Sequence, residues 1–242
     1  MKRRILTPME TKIMTEAVKL AAKEGFDAVT MEMIAEAVGI KAPSLYKHFK
    51  NKRDIFDAIL NEMEWRDAKN ARESGLPLEP LDDGIYKNEY ENEYEYNSAE
   101  KEARNSANMT IDDYEDESAP LADEYADVDM QAFLDYCRKM FRYWTGDEFA
   151  SSFRKMLTIE QYKDQEMHNL YHQYLGTGPL GYTADIVGSE KAALALYGPM
   201  FMLYSIFDEA KSKYVPGFED SIYGMLDTHL DNWYAEYSSH KA

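Results

Sequence analysis

A single cysteine, Cys137, occurs in the 242 residues, so no intrachain disulfide framework is available to this chain. One thiol suits a reducing compartment, and the expected location is the cytoplasm. Long apolar runs are also missing. The longest without a charge, Ala192 to Phe207, has 16 residues and is interrupted by Gly198-Pro199, whereas spanning a bilayer takes roughly 20. The basic start, MKRRILTPMETK, is followed by no apolar stretch of signal-peptide length. No membrane partner is expected. Positive charge is scarce as well: 27 Lys and Arg face 45 Asp and Glu, for a net charge of −18. Taken as a total, that balance argues against binding a polyanion.

The distribution of charge reverses that argument. Residues 1–54 hold eleven basic and seven acidic residues, a net of +4, and the remainder carries −22. An asymmetry of this size suggests a polyanion-binding end joined to a body with another task. Much of the positive charge falls in GIKAPSLYKHFKNKRDIF, residues 39–56, which contains Lys41, Lys47, Lys50, Lys52 and Arg53.

Helix signals surround that stretch. Thr7-Pro8-Met9-Glu10 reads as a capping box with proline at the first helical position, and Gly25 as the stop. A second helix should follow Thr30 and bury Ile34, Ala35 and Val38, ending at Gly39. Only Ile40 and Lys41 precede a third, expected from Ala42 to Phe49, and Asn51 can cap a fourth from Lys52. Short helices joined by a tight glycine turn form a helix-turn-helix, whose second helix fits the major groove of B-DNA. A small helical subdomain with a solvated basic face is the alternative on pattern alone.

The residues TMEMIAEAVGIKAPSLYKHFKNKRDIFDAIL resemble the DNA-binding segment of the tetracycline-repressor (TetR) family of bacterial transcription regulators. The resemblance rests on the threonine opening helix two, Ile34-Ala35, Gly39, Leu45-Tyr46-x-His48-Phe49 and Lys50-Asn51-Lys52, and covers about residues 7–65. It implies an all-α fold: a helix-turn-helix DNA-binding domain, placed at residues 1–52, and a helical effector-binding and dimerisation domain, 53–242. It implies phosphate contacts at Thr30, Ser44, Tyr46, His48 and Lys52, and base-edge positions at Lys41, Ala42, Pro43 and Lys47. Hydroxyls, an imidazole and an ammonium suit phosphate oxygens, while Lys47 suits guanine and Ala42 a thymine methyl. Two departures stand out. Lys41 occupies an N-cap usually held by Ser or Thr, and Met33 the place of a capping-box Glu or Gln. The Lys2-Arg3-Arg4 arm is a candidate for a minor groove, a disordered terminus being the alternative.

The body contains an acidic segment, 82–127, with sixteen acidic residues, three basic ones and six tyrosines. It reads as a solvated insertion; an acidic aromatic lining for a cationic effector, or a protein-interaction module, are the other readings. From Val128 helical spacing returns, with Phe133, Cys137, Met140, Phe141 and Trp144 on one stripe ended by Gly146. Asp147 should cap one long helix reaching about Leu175, and GTGPLGYT, 176–183, should be a loop. That loop lacks the Lys-Ser/Thr of a phosphate-binding loop and no strand precedes it, so no cofactor is expected. Lys191 to Lys213 should form an apolar helix kinked near Gly198-Pro199, and the last helix carries Ile222, Met225, Leu226, Leu230, Trp233 and Tyr237. By the resemblance these last two helices pair with a second copy, giving a homodimer on a near-palindromic operator that an unidentified small molecule releases.

Cys137, on an apolar stripe, is expected to be an inert core residue. Asp164, His168 and His172 stand at i, i+4, i+8 of the expected long helix, the footing for a rival reading as a helical metal-dependent enzyme. Residues 168–172 read His-Asn-Leu-Tyr-His, without the adjacent glutamate a zinc protease needs, so neither metal nor catalysis is expected.

Overall fold

The computed structural model describes residues 6–74, 125 and 128–241. The basic arm, Lys2-Arg3-Arg4, and the acidic segment 82–127, apart from Tyr125, lie outside the described residues. Among the described residues the regular elements are α-helices, and no helix is long and apolar enough to cross a membrane.

Helix α1, Pro8–Glu24, starts on the expected capping box: Thr7 Oγ1 accepts from the Glu10 N–H, and the Glu10 carboxylate accepts from the Thr7 N–H. Helix α2, Met31–Val38, is capped by Thr30 in one direction only, because Met33 offers no acceptor back. Gly39 ends it at φ 80°, ψ 32°; no atom crowds the site of a Cβ, so the left-handed backbone alone calls for glycine. Helix α3 is regular only over Ala42–Leu45. The expected continuation to Phe49 is instead a tightened turn, with the N–H groups of Lys47 and His48 donating to the carbonyls of Ser44 and Leu45 three residues back. Helix α4, Lys52–Glu73, begins where Asn51 Oδ1 accepts from the Asp54 N–H. Ile13, Met14, Val18, Ile34, Leu45, Phe49, Ile55, Phe56 and Ile59 close a fully buried apolar core between these helices.

The body comprises α5 (Met130–Gly146), α6 (Glu148–Glu160), α7 (Gln165–Leu175), α8 (Thr177–Val187), α9 (Glu190–Ser212) and α10 (Phe218–Lys241). Two expectations fail here. The long helix from Asp147 to Leu175 is two helices. The chain turns after Glu160, and Asp164 then accepts from the Met167 N–H, which nucleates α7 afresh. GTGPLGYT is no loop: it opens α8. Pro179 is tolerated in the first turn, where its missing N–H would have no intrahelical partner, and burial of Thr183, Ala184, Ile186 and Val187 outweighs the glycines' poor propensity. Helix α9 runs unbroken through Pro199.

Helix α1 packs along α6, and α9 packs against α8, α10 and α5. Polar groups tie the amino-terminal helices to the body. Glu160, only 1% exposed, accepts the Phe26 N–H at 2.9 Å. Arg53 at the start of α4 makes a two-pronged 2.7 Å contact to Glu166 on α7.

A basic helical face and an aromatic cavity

The turn between α2 and α3 sets the geometry of the basic face. Burying Leu45 and Phe49 on the inner side of α3 and the turn after it forces Lys41, Pro43, Tyr46 and Lys47 outward, where all four are exposed. Ala42, Ser44 and His48 lie half-buried at the edge of that surface. Lys41 is the N-cap without a side-chain hydrogen bond, as its residue type dictates. Among the described residues Lys41, Lys47 and Lys50 join no ion pair, although the chain has an excess of carboxylates. Tyr46, 50% exposed, presents its ring and hydroxyl beside them.

Two of the residues matched by the resemblance do structural work. Thr30 holds the Met33 N–H at 3.2 Å, and its side chain is exposed. Lys52 Nζ donates to the carbonyls of Phe26 and Asp27 at 2.8 and 3.0 Å and sits over the Phe26 ring. An ammonium has three N–H donors, so one remains for a further acceptor. Lys12 Nζ braces the end of α2 by donating to the Val38 carbonyl.

A second concave feature lies in the body. A cavity of about 530 Å³ opens between α4, α5, α7, α8 and α9. The aromatic rings of Tyr136, Trp144, Tyr174, Tyr182, Tyr197 and Tyr204 supply much of its wall. Asp67, on α4, is the more buried of its two carboxylates: Oδ1 is buried and has no hydrogen-bond partner among the described residues. Burial pushes this carboxyl up to about 7; Arg66 opposes the shift and Glu64 adds to it. Burial also raises the Glu64 carboxyl, the phenols of Tyr136, Tyr197 and Tyr204, and the Cys137 thiol, the last to about 12. The thiol is therefore protonated at neutral pH and is no nucleophile.

Asp164, His168 and His172 do not form the ladder expected of one long helix. Asp164 precedes α7 and its carboxylate is engaged as the cap, while the two imidazoles pack with ring centroids 4.4 Å apart. Desolvation, and then the neighbouring His168, lower the pKa of His172. No group of three His, Cys, Asp or Glu able to hold a metal occurs among the described residues.

Sequence reasoning identified the basic face but missed the cavity. Asp67 lies on a helix where carboxylates are common, and Tyr182 lay in the supposed loop. The junction through Glu160 was missed too, since nothing in its neighbourhood in sequence points to Phe26.

Residues 13–59, which include most of α1, the basic face and the start of α4, match the tetR family of bacterial regulatory proteins. Over 49 residues the chain is 41% identical to the biofilm operon icaADBC HTH-type negative transcriptional regulator IcaR of Staphylococcus aureus (strain Newman). It is 40% identical over 48 residues to the regulator of the same name from Staphylococcus epidermidis (strain ATCC 35984). Each match spans 20% of this chain and 26% of the relative's length, so the body is not covered by these similarities.

Proposed function

We propose, from the match of residues 13–59 to the tetR family of bacterial regulatory proteins, that the chain is a homodimeric, ligand-responsive DNA-binding transcriptional regulator, acting as a repressor in the cytoplasm and not as an enzyme. One observation carries this reading. The outer side of α3, with its flanking residues, presents Lys41 and Lys47 free of carboxylate partners among the described residues, on a chain of net charge −18 that has carboxylates in abundance. Cations left unpaired in such a chain suit a polyanion. Relatives named as negative transcriptional regulators support repression.

In the proposed division, residues 1–52 bind DNA and 53–242 hold the effector and the partner subunit. Thr30, Ser44, Tyr46, His48 and Lys52 contact phosphates, while Lys41, Ala42, Pro43 and Lys47 face base edges. The second copy docks on α9 and α10. Leu194, Phe201, Met202 and Ile206 on α9 and Met225 on α10 are apolar and 40–62% exposed, an unusual density for a surface that stays wet. A two-fold dimer then sets two α3 helices about 34–36 Å apart, one turn of DNA, and reads a near-palindrome.

Release is a population shift. The effector binds the body best when the two α3 helices are wrongly spaced, and its differential affinity lowers operator affinity by the same coupling free energy. Helix α4 suits the task of lever: it begins beside the basic face at Lys52 and carries Asp67 into the cavity.

The test is a titration of the protein against its own upstream DNA at several salt concentrations. Specific binding gives a log–log slope near −0.9 for each phosphate neutralised. Phe201→Arg, which places a charge in the proposed dimer face, should yield monomers by sedimentation and lose operator affinity. A monomeric parent protein that ignores duplex DNA in dilute buffer would overturn the proposal.

A further inference from the structure

We propose that the cavity takes an organic monocation, an amine or quaternary ammonium with apolar or aromatic substituents, and seats its charge against Asp67. This rests on the reading of the cavity as the effector site and adds the chemical class of the ligand.

The argument starts from what surrounds Asp67. A buried carboxylate oxygen without a hydrogen bond costs stability, and such groups persist where a ligand completes them. The neighbouring cation cannot do so. Arg66 faces away, donating to Glu62 at 2.8 Å and to Asp147 at 3.3 Å, with its guanidinium over the Phe149 ring. Glu64 adds a second carboxylate to the wall, and Arg72, exposed near the end of α4, is the cation among the residues that line it. The remaining wall is largely aromatic, and the negative faces of such rings attract a positive charge that has left water. Burial keeps Tyr136, Tyr197 and Tyr204 protonated, so they offer ring faces and hydroxyls rather than phenolates.

Other ligand classes fit less well. An inorganic divalent ion wants several oxygen ligands at once, and no such group occurs among the described residues. An organic anion would meet Asp67 and Glu64. A neutral ligand would leave the Asp67 charge uncompensated, or would bind only the protonated carboxyl through an acceptor of its own. A volume of about 530 Å³ is ample for a molecule of drug size.

Three probes of similar size and different charge separate these classes on the unmodified protein: benzyltriethylammonium, N,N-diethylbenzamide and 4-phenylbutyrate. Isothermal titration at pH 8 should show the ammonium binding once per protomer, and about tenfold or more tighter than either of the others. Asp67→Asn, nearly isosteric, should weaken the ammonium by about tenfold and leave the amide within about twofold. The proposal falls if the amide or the acid binds as tightly as the ammonium, if Asp67→Asn leaves the ammonium unaffected, or if the ammonium gives no binding at millimolar concentration. Operator release by the same probes is scored separately. An ammonium that binds through Asp67 without releasing operator DNA upholds the cation site and overturns the ligand-responsive regulator, whereas an amide that binds and releases does the reverse.

Discussion

The two ends of this molecule treat charge in opposite ways. Around α1 to α3 the interior is closed and apolar, and Lys41, Lys47 and Lys50 stand outside with no ion-pair partner among the described residues. In the body the positive charges are largely paired, as with Arg138 between Asp135, Asp227 and Asp231, while a carboxylate is buried beside an open cavity. A filled core with free surface charge suits a rigid element that presents itself to a large partner. An unfilled core with a stranded charge is unstable where it stands and gains by enclosing something small. Between them lies the Glu160–Phe26 contact, through which a change in one region can reach the other.

The sharpest way to break this contrast is to remove the stranded charge. Asp67 titrates near 7 when folded and near 3.8 when unfolded, so the folded state holds the proton more tightly. Stability from this group is therefore complete below about pH 4 and is lost as pH rises to about 7. Asp67→Asn should abolish that loss and stabilise the protein at pH 8 by on the order of 2–4 kcal/mol, with little effect at pH 4. Urea midpoints across that range report it, and equal midpoints at pH 8 would mean that the carboxylate is not stranded.

Next in size is the seam between the regions. Gly25 has φ 80° and ψ 149°, and a Cβ there would lie 2.6 Å from Glu160 Oε1. Gly25→Ala should cost about 1–3 kcal/mol in backbone strain, with displacement of the carboxylate from the Phe26 N–H added. A thermal melt measures the loss, and operator titration shows whether loosening the seam alters DNA affinity.

Smaller effects are expected at the basic face. Lys47→Ala should weaken operator binding by about 1–2 kcal/mol and relax base preference, as competition with altered operators would reveal. A uniform loss across all sequences would reassign Lys47 to the backbone. Tyr46→Phe, which deletes one hydroxyl, should cost about 0.5–1.5 kcal/mol without changing preference.

Legibility followed the range of the forces involved. The boundaries of α1 and α2 and the start of α4 were readable because Thr7, Thr30, Asn51 and Gly39 act on backbone groups within four residues of themselves. Local rules misled at Pro179 and Gly181, where burial of one side of α8 overrode residues that usually break helices. They misled again after Glu160, whose carboxylate serves a partner 134 positions away in the chain.

By itself, then, the order of residues determined the helical class, the capped turn that turns α3 outward and the unequal division of charge, because each depends on neighbours along the chain. Tertiary packing alone decided that seven aromatic side chains from four helices line one space and that Asp67 is carried into it with a carboxylate oxygen that finds no hydrogen-bond partner among the described residues. Solvation is the reason. Whether a carboxylate meets water or protein depends on what folds over it, and that covering comes from segments far away in sequence.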